Sequence, residues 1–104
     1  MTQSYDFLAD AGHGWLVVTP EQAEAIGLKS SDMTDCSYIR NGIFYAEEDC
    51  DLATVFMLHH KRYGEIPKIG REVDGSPRAF RRCSGSAPKY HEAFVYLDDV
   101  KRAT

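Results

Sequence analysis

A chain of 104 residues, 43% hydrophobic and 12% aromatic, suits one small domain with a single modest core and excludes two independent ones. No apolar run approaches the roughly 20 residues that span a bilayer, and the start Met1-Thr2-Gln3-Ser4 has neither the basic flank nor the apolar block of a signal peptide, so a cytoplasmic protein without a membrane partner is expected. The net charge of −4 is unevenly spread: residues 1–60 hold ten acids and two bases, whereas residues 61–104 hold six acids and ten bases.

Tyr5 to Leu8 reads as a short strand and Gly14 to Thr19 as a buried one, β-branched, aromatic and uncharged, with Asp10-Ala11-Gly12-His13-Gly14 linking them. Thr19-Pro20-Glu21-Gln22 then predicts a helix start: Thr19 caps, Pro20 takes the first helical position and Gln22 completes a capping box, while Gly27 ends the helix. Lys29 to Asp35 is polar and reads as a loop. Cys36 to Arg40 and Ile43 to Ala46 flank Asn41-Gly42, a dipeptide that tolerates the two positive φ angles of a type I′ hairpin turn.

Leu52, Val55, Phe56, His59 and Tyr63 follow the spacing of one helical face, which should cover the sheet, and Gly64 with Pro67 stops that helix. Asp49 is placed to cap it and Asp51 to sit in its first turn, where negative charge complements the helix dipole. His59, His60, Lys61 and Arg62 occupy its last turns, where cations are favoured. Beyond Gly70 the periodicity fades, with Gly75, Pro77, Gly85 and Pro88 punctuating a basic stretch before Glu92 to Leu97, a final strand or a tail that needs a partner. The expected architecture is an α+β domain over 1–82, a small mostly antiparallel sheet with two helices on one face, followed by an irregular basic C-terminal extension, 83–104.

Four carboxylates fall within Glu47-Glu48-Asp49-Cys50-Asp51, and the helix start accounts for only two of them. Glu47 and Glu48 are left, pointing to opposite faces by strand alternation. Two glycines around His13 let a backbone approach a ligand closely, although a tight strand-to-strand turn in which His13 bonds locally is the preferred reading. Trp15 beside it is foremost a packing residue. A divalent-cation hydrolase would combine His13, Asp10 or Asp49, and Glu48, but no His-Glu-x-x-His or paired-cysteine spacing supports it, so no metal or cofactor is expected. Cys36, Cys50 and Cys83 are an odd set without Cys-x-x-Cys spacing and read as inert reduced thiols; nothing in the sequence activates Cys50 or Cys83 for attack with His13 or His91. Arg71, Arg78, Arg81, Arg82 and Lys89 interleave with Phe80 and Tyr90 as in single-strand binders, but a pI near 5.5 weighs against nucleic-acid binding.

The segments Gly12-His13-Gly14-Trp15-Leu16 and Tyr45-Ala46-Glu47-Glu48-Asp49-Cys50-Asp51 together resemble a family of small uncharacterised proteins encoded by bacteriophages, prophages and plasmids. The resemblance covers roughly residues 5–80 and leaves Cys83 to Thr104 outside. It implies a small accessory protein acting inside a bacterial cell, where many such products block host machinery, including defence systems such as CRISPR-Cas. With the charge asymmetry, it leads to the expectation of a non-enzymatic inhibitor that binds a bacterial host protein or ribonucleoprotein complex. Glu47, Glu48, Asp10, His13 and Trp15 are its expected contact residues, the acidic half meeting a basic surface. A homodimer through the C-terminal extension stays open.

Overall fold

The computed structural model describes residues 4–85 and 90–103. In chain order these form β1 (Ser4–Ala9), β2 (Gly14–Val18), α1 (Pro20–Ile26), a 3₁₀ turn at Ser30–Asp32, β3 (Tyr38–Arg40), β4 (Ile43–Glu47), α2 (Leu52–Tyr63), β5 (Lys68–Asp74), β6 (Arg81–Arg82) and α3 (Tyr90–Ala103). One sheet takes the order β5-β1-β2-β4-β3-β6. Its β1–β5 pair is parallel and the other pairs are antiparallel, which gives the expected α+β fold with a mostly antiparallel sheet.

Local chemistry explains the first elements. Thr19 Oγ1 accepts from Gln22 N and Thr19 N donates to Gln22 Oε1, so the capping box opens α1 behind Pro20, and Gly27 closes it at φ 73°. Asn41 at φ 52° and Gly42 at φ 77° make the tight β3–β4 turn. Gly64, at φ 79°, ends α2 as its spacing predicts.

The start of α2 differs from the expectation. Its N-cap is Asp51, not Asp49, and the Asp51 side chain does not cap the helix. Instead the fully buried carboxylate accepts from Thr34 N at 3.0 Å, from Thr34 Oγ1 at 2.8 Å and from Ser37 Oγ. A buried carboxylate needs such donors, because hydrogen bonds to a charged group contribute about 1.5–3 kcal/mol each, whereas an unpaired one is costly. The loop before β3 is thereby tied to the end of β4.

On one face of the sheet, Tyr5, Leu16, Val18, Phe44 and Ala46 are buried in the main core, with Ala23 and Ile26 of α1 and Val55 of α2. Leu52, Phe56 and Tyr63 pack against the same cluster, so the face read from the sequence is the one that meets the sheet. A second face of α2, Ala53 and Met57, packs against Ala93, Tyr96 and Leu97 of α3.

Two expectations for the C-terminal part are corrected. The final strand over Glu92–Leu97 is helical: Ala93, Tyr96, Leu97 and Val100 are the less exposed positions, and their spacing is that of a helix stripe on α2. The division after residue 82 does not follow the packing either, because Cys83 is 3% exposed within the main core and its N–H donates to Ser37 O. Pro88 and Lys89 lie outside the described residues.

The basic stretch also has a fixed path. β5 and β6 lie on opposite edges, so residues 75–80 must cross the sheet. The link is not extended, since Phe80 N donates to Pro77 O in a turn on the way. It takes the face that the helices leave open: Phe80 stacks on Tyr45 at 5.2 Å and the Arg78 guanidinium lies 5.2 Å from the Trp15 ring centre.

His59 is not a helix-end cation as expected but a fully buried side chain in contact with Tyr5. Burial pushes the Tyr5 hydroxyl up to about 12 and depresses the His59 pKa, and the two share a hydrogen bond of 2.8 Å between Tyr5 Oη and His59 Nδ1. A histidine pKa depressed by folding means that the unfolded chain takes up the proton first. The corresponding stability is fully present above about pH 6.5, the unfolded value, and is lost as pH falls below it. Denaturant unfolding between about pH 5 and pH 7.5 should therefore show a steeper acid loss for the native chain than for His59→Gln; equal pH dependence would contradict the assignment.

Candidate functional site

The β1–β2 turn is set by Asp10. Its Oδ1 accepts from Gly12 N and His13 N, both at 2.9 Å, and its own N–H donates to His13 O. These backbone donors, with the Arg78 guanidinium at 3.0 Å from Oδ2, hold the Asp10 carboxyl well below the usual carboxylate range. Gly14 follows because no side chain fits: a Cβ there would lie 2.1 Å from the Phe7 ring. His13 is thus carried on a braced turn at the end of the sheet.

Opposite it, β4 ends at Glu47, paired with Trp15 of β2. Glu47 is 5% exposed. Its Oε2 accepts from Asp49 N and Cys50 N at 2.9 Å each, which turns the chain back toward the sheet end. That turn removes the strand alternation expected to send Glu47 and Glu48 to opposite faces. One ligand atom from each of His13, Glu47, Glu48 and Asp49 lies within 4.8 Å of all the others. Asp49, expected at a helix cap, belongs to this cluster.

The remaining oxygen, Glu47 Oε1, is buried and has no hydrogen-bond partner among the described residues. It stands 3.4 Å from His13 Nδ1. Two donors bound to one ion at 2.0–2.2 Å in tetrahedral geometry are about 3.3–3.6 Å apart, so this gap has the width of a coordination edge. The held Oε2 fixes the carboxylate so that Oε1 alone is presented, as outer hydrogen bonds do for metal ligands.

Beside the cluster, on the open face of the sheet, a cavity of about 250 Å³ is lined by His13, Glu47 and Asp49 on one side. Arg78 and Arg82 lie on another, each over an aromatic ring, Trp15 and Tyr38, with 5.2 Å between guanidinium carbon and ring centre. Cys36 and Cys50 complete the wall, their sulfurs 3.2 Å apart. The Cys50 thiol is pushed up, first by burial and then by Cys36 and Glu47, so it is held protonated.

Of the five residues expected to contact a partner protein, the structure brings His13, Glu47 and Glu48 together. Glu47 and Trp15 are corrected as contact residues: at 5% and 1% exposure they are walls of a cavity, not part of a docking surface. Asp10 stands apart from the cluster and braces His13 and Arg78. Cys36 was not legible as a site residue, whereas Arg78 and Arg82 were legible only as candidate nucleic-acid contacts and Cys50 only as a weak nucleophile. For the cysteines a signal existed, since pairing about the Asn41-Gly42 turn brings both strand ends to the same place. For the arginines there was none, because their position depends on the strand order.

Exposure of the folded chain to oxidised glutathione, a disulfide oxidant, should link Cys36 to Cys50 with loss of two hydrogens by mass and leave Cys83, whose thiol burial pushes up to about 11, as the one titratable thiol. Three thiols persisting in the folded chain would refute the pairing.

Comparison with protein-family models, curated proteins and solved structures finds no match.

Proposed function

We propose that this chain binds a divalent metal ion through His13, Glu47, Glu48 and Asp49 and uses it for hydrolysis in the adjoining cavity. The observation that carries the proposal is the buried Glu47 Oε1, which accepts no hydrogen bond among the described residues and faces His13 Nδ1 at 3.4 Å, an ion pair when that imidazole is protonated. With a neutral imidazole opposite, this buried oxygen has no compensating charge, which is costly; an ion between the two atoms would supply it. One imidazole with three carboxylates suits Mn²⁺ or Zn²⁺. Hydrolysis fits because the cluster opens onto the cavity, where a water on the ion would become a nucleophile near neutral pH. Titration calorimetry of chelator-treated protein with Mn²⁺ or Zn²⁺ should give one site. Glu47→Gln, whose amide oxygen keeps the bonds to Asp49 N and Cys50 N, should lose roughly 100-fold or more in affinity. Absent binding, or equal affinity in the variant, would sink the metal site.

A second reading keeps the chain as a mobile-element accessory protein that inhibits a bacterial host protein or complex. The observation in its favour is exposed apolar surface: Phe94 and Val95 on α3 are about half exposed, as are Ile69 and Val73 on the edge strand β5. Apolar side chains of that size on an unpaired edge and an outer helix face suit a protein partner. Glu48 and Asp49, both exposed, would add acidic contacts. A host protein captured by the native chain should be lost on Phe94→Ser with Val95→Ser, and capture that survives both changes counts against this surface.

A further inference from the structure

We infer that Arg78 and Arg82 form an anion subsite beside the metal cluster and that the ligand class is a small phosphate monoester, its phosphate bridging the ion and the two guanidiniums. The inference rests on the metal reading for one of its three anchors. Arg78 and Arg82 line the same cavity as Glu47 and Asp49, yet among the described residues neither arginine pairs with either carboxylate. Opposite charges lining one cavity stay apart when each is held by other contacts.

They are fixed. Arg78 is held by Nε on Asp10 Oδ2 at 3.0 Å and by the face of Trp15. Arg82 donates through Nη1 to Asp35 O at 2.7 Å and lies over Tyr38. A guanidinium has five donors in a planar fork, so each arginine keeps N–H groups for a ligand after these contacts. Trp15, whose ring also lines the cavity, is 1% exposed, and its buried indole Nε1–H has no acceptor among the described residues. The cavity therefore combines carboxylates and an imidazole suited to a cation with N–H donors suited to oxygen atoms.

Three anchors select the anion. A carboxylate would have to share its two coplanar oxygens among an ion and two forks, whereas a phosphate monoester offers three non-bridging oxygens, one for each anchor, and up to two negative charges. Size limits the rest: about 250 Å³ lies below the roughly 300–1,000 Å³ of pockets for drug-sized ligands, so a compact ester fits and a dinucleotide does not.

Phenyl phosphate is a soluble probe, titrated calorimetrically at fixed ionic strength into Mn²⁺-loaded protein, with benzoate as the carboxylate control. The native chain should bind phenyl phosphate at least 10-fold more tightly than benzoate. Arg78→Gln and Arg82→Gln should each weaken it about 10-fold or more while Mn²⁺ affinity stays unchanged. Arg82→Lys, which keeps the charge without the fork, covers a failure of Arg82→Gln to fold and should weaken binding too. If Mn²⁺ binds but phenyl phosphate does not, or binds the arginine variants equally, or benzoate matches it, the subsite is overturned and the metal site stands. If Mn²⁺ itself does not bind, the metal reading has failed. Arginine-dependent phenyl phosphate binding to the metal-free chain would then support the subsite, and its absence would overturn it.

Discussion

The carboxylate of Asp51 is the constraint on which the site depends. Buried without a cation, it is satisfied by Thr34 and Ser37, and Ser37 Oγ in turn accepts from Glu47 N. One side chain thus joins the loop before β3, the end of β4 and the start of α2. Glu47 O accepts from Asp51 N while Glu47 Oε2 accepts from Asp49 N and Cys50 N, so the turn that brings Glu48 and Asp49 beside His13 is closed at both ends. Removing the carboxylate would leave several buried donors unpaired at once, which is why the geometry of the cluster and the stability of the domain are the same matter.

A second constraint is topological. With β5 and β6 on opposite edges, the connecting segment has to lie on the sheet face that carries no helix. It supplies there what the acidic hairpin lacks, Arg78 and Phe80, and delivers Arg82 to the neighbouring strand. The uneven charge along the chain is accordingly folded back on itself: the basic segment lies across the acidic end of the sheet, and the two meet at the cavity. Electrostatics of opposite sign on either side of one cavity suit a bridging ligand better than a broad acidic surface suits a protein partner.

Local rules accounted for the elements whose determinants lie within a few residues of one another. The capping box at Thr19, the left-handed glycines that end α1 and α2, and the Asn41-Gly42 turn are all decided by backbone donors and φ angles close in sequence. The same rules misassigned Asp49 and Asp51, because a carboxylate before a helix can cap it or reach a loop, and only the position of Thr34 and Ser37 decides which. They misassigned Glu92 to Leu97 because a short apolar run fits a strand or a helix, and the choice fell to the second apolar face of α2, Ala53 and Met57, which α3 covers.

By itself the sequence determined an α+β fold, its Asn41-Gly42 hairpin, its first two helices and an unexplained pair of carboxylates, Glu47 and Glu48, whose distance from His13 it left open. Tertiary structure decided the rest. Whether Glu47 is a surface charge or a buried one with a free oxygen depends on which strand lies beside β4, and whether Arg78 is solvated or stacked on Trp15 depends on the order of all six strands. Pairings between residues more than 30 positions apart carry no local signature, since the side chains that satisfy one another are chosen by the packing and not by the neighbouring chain.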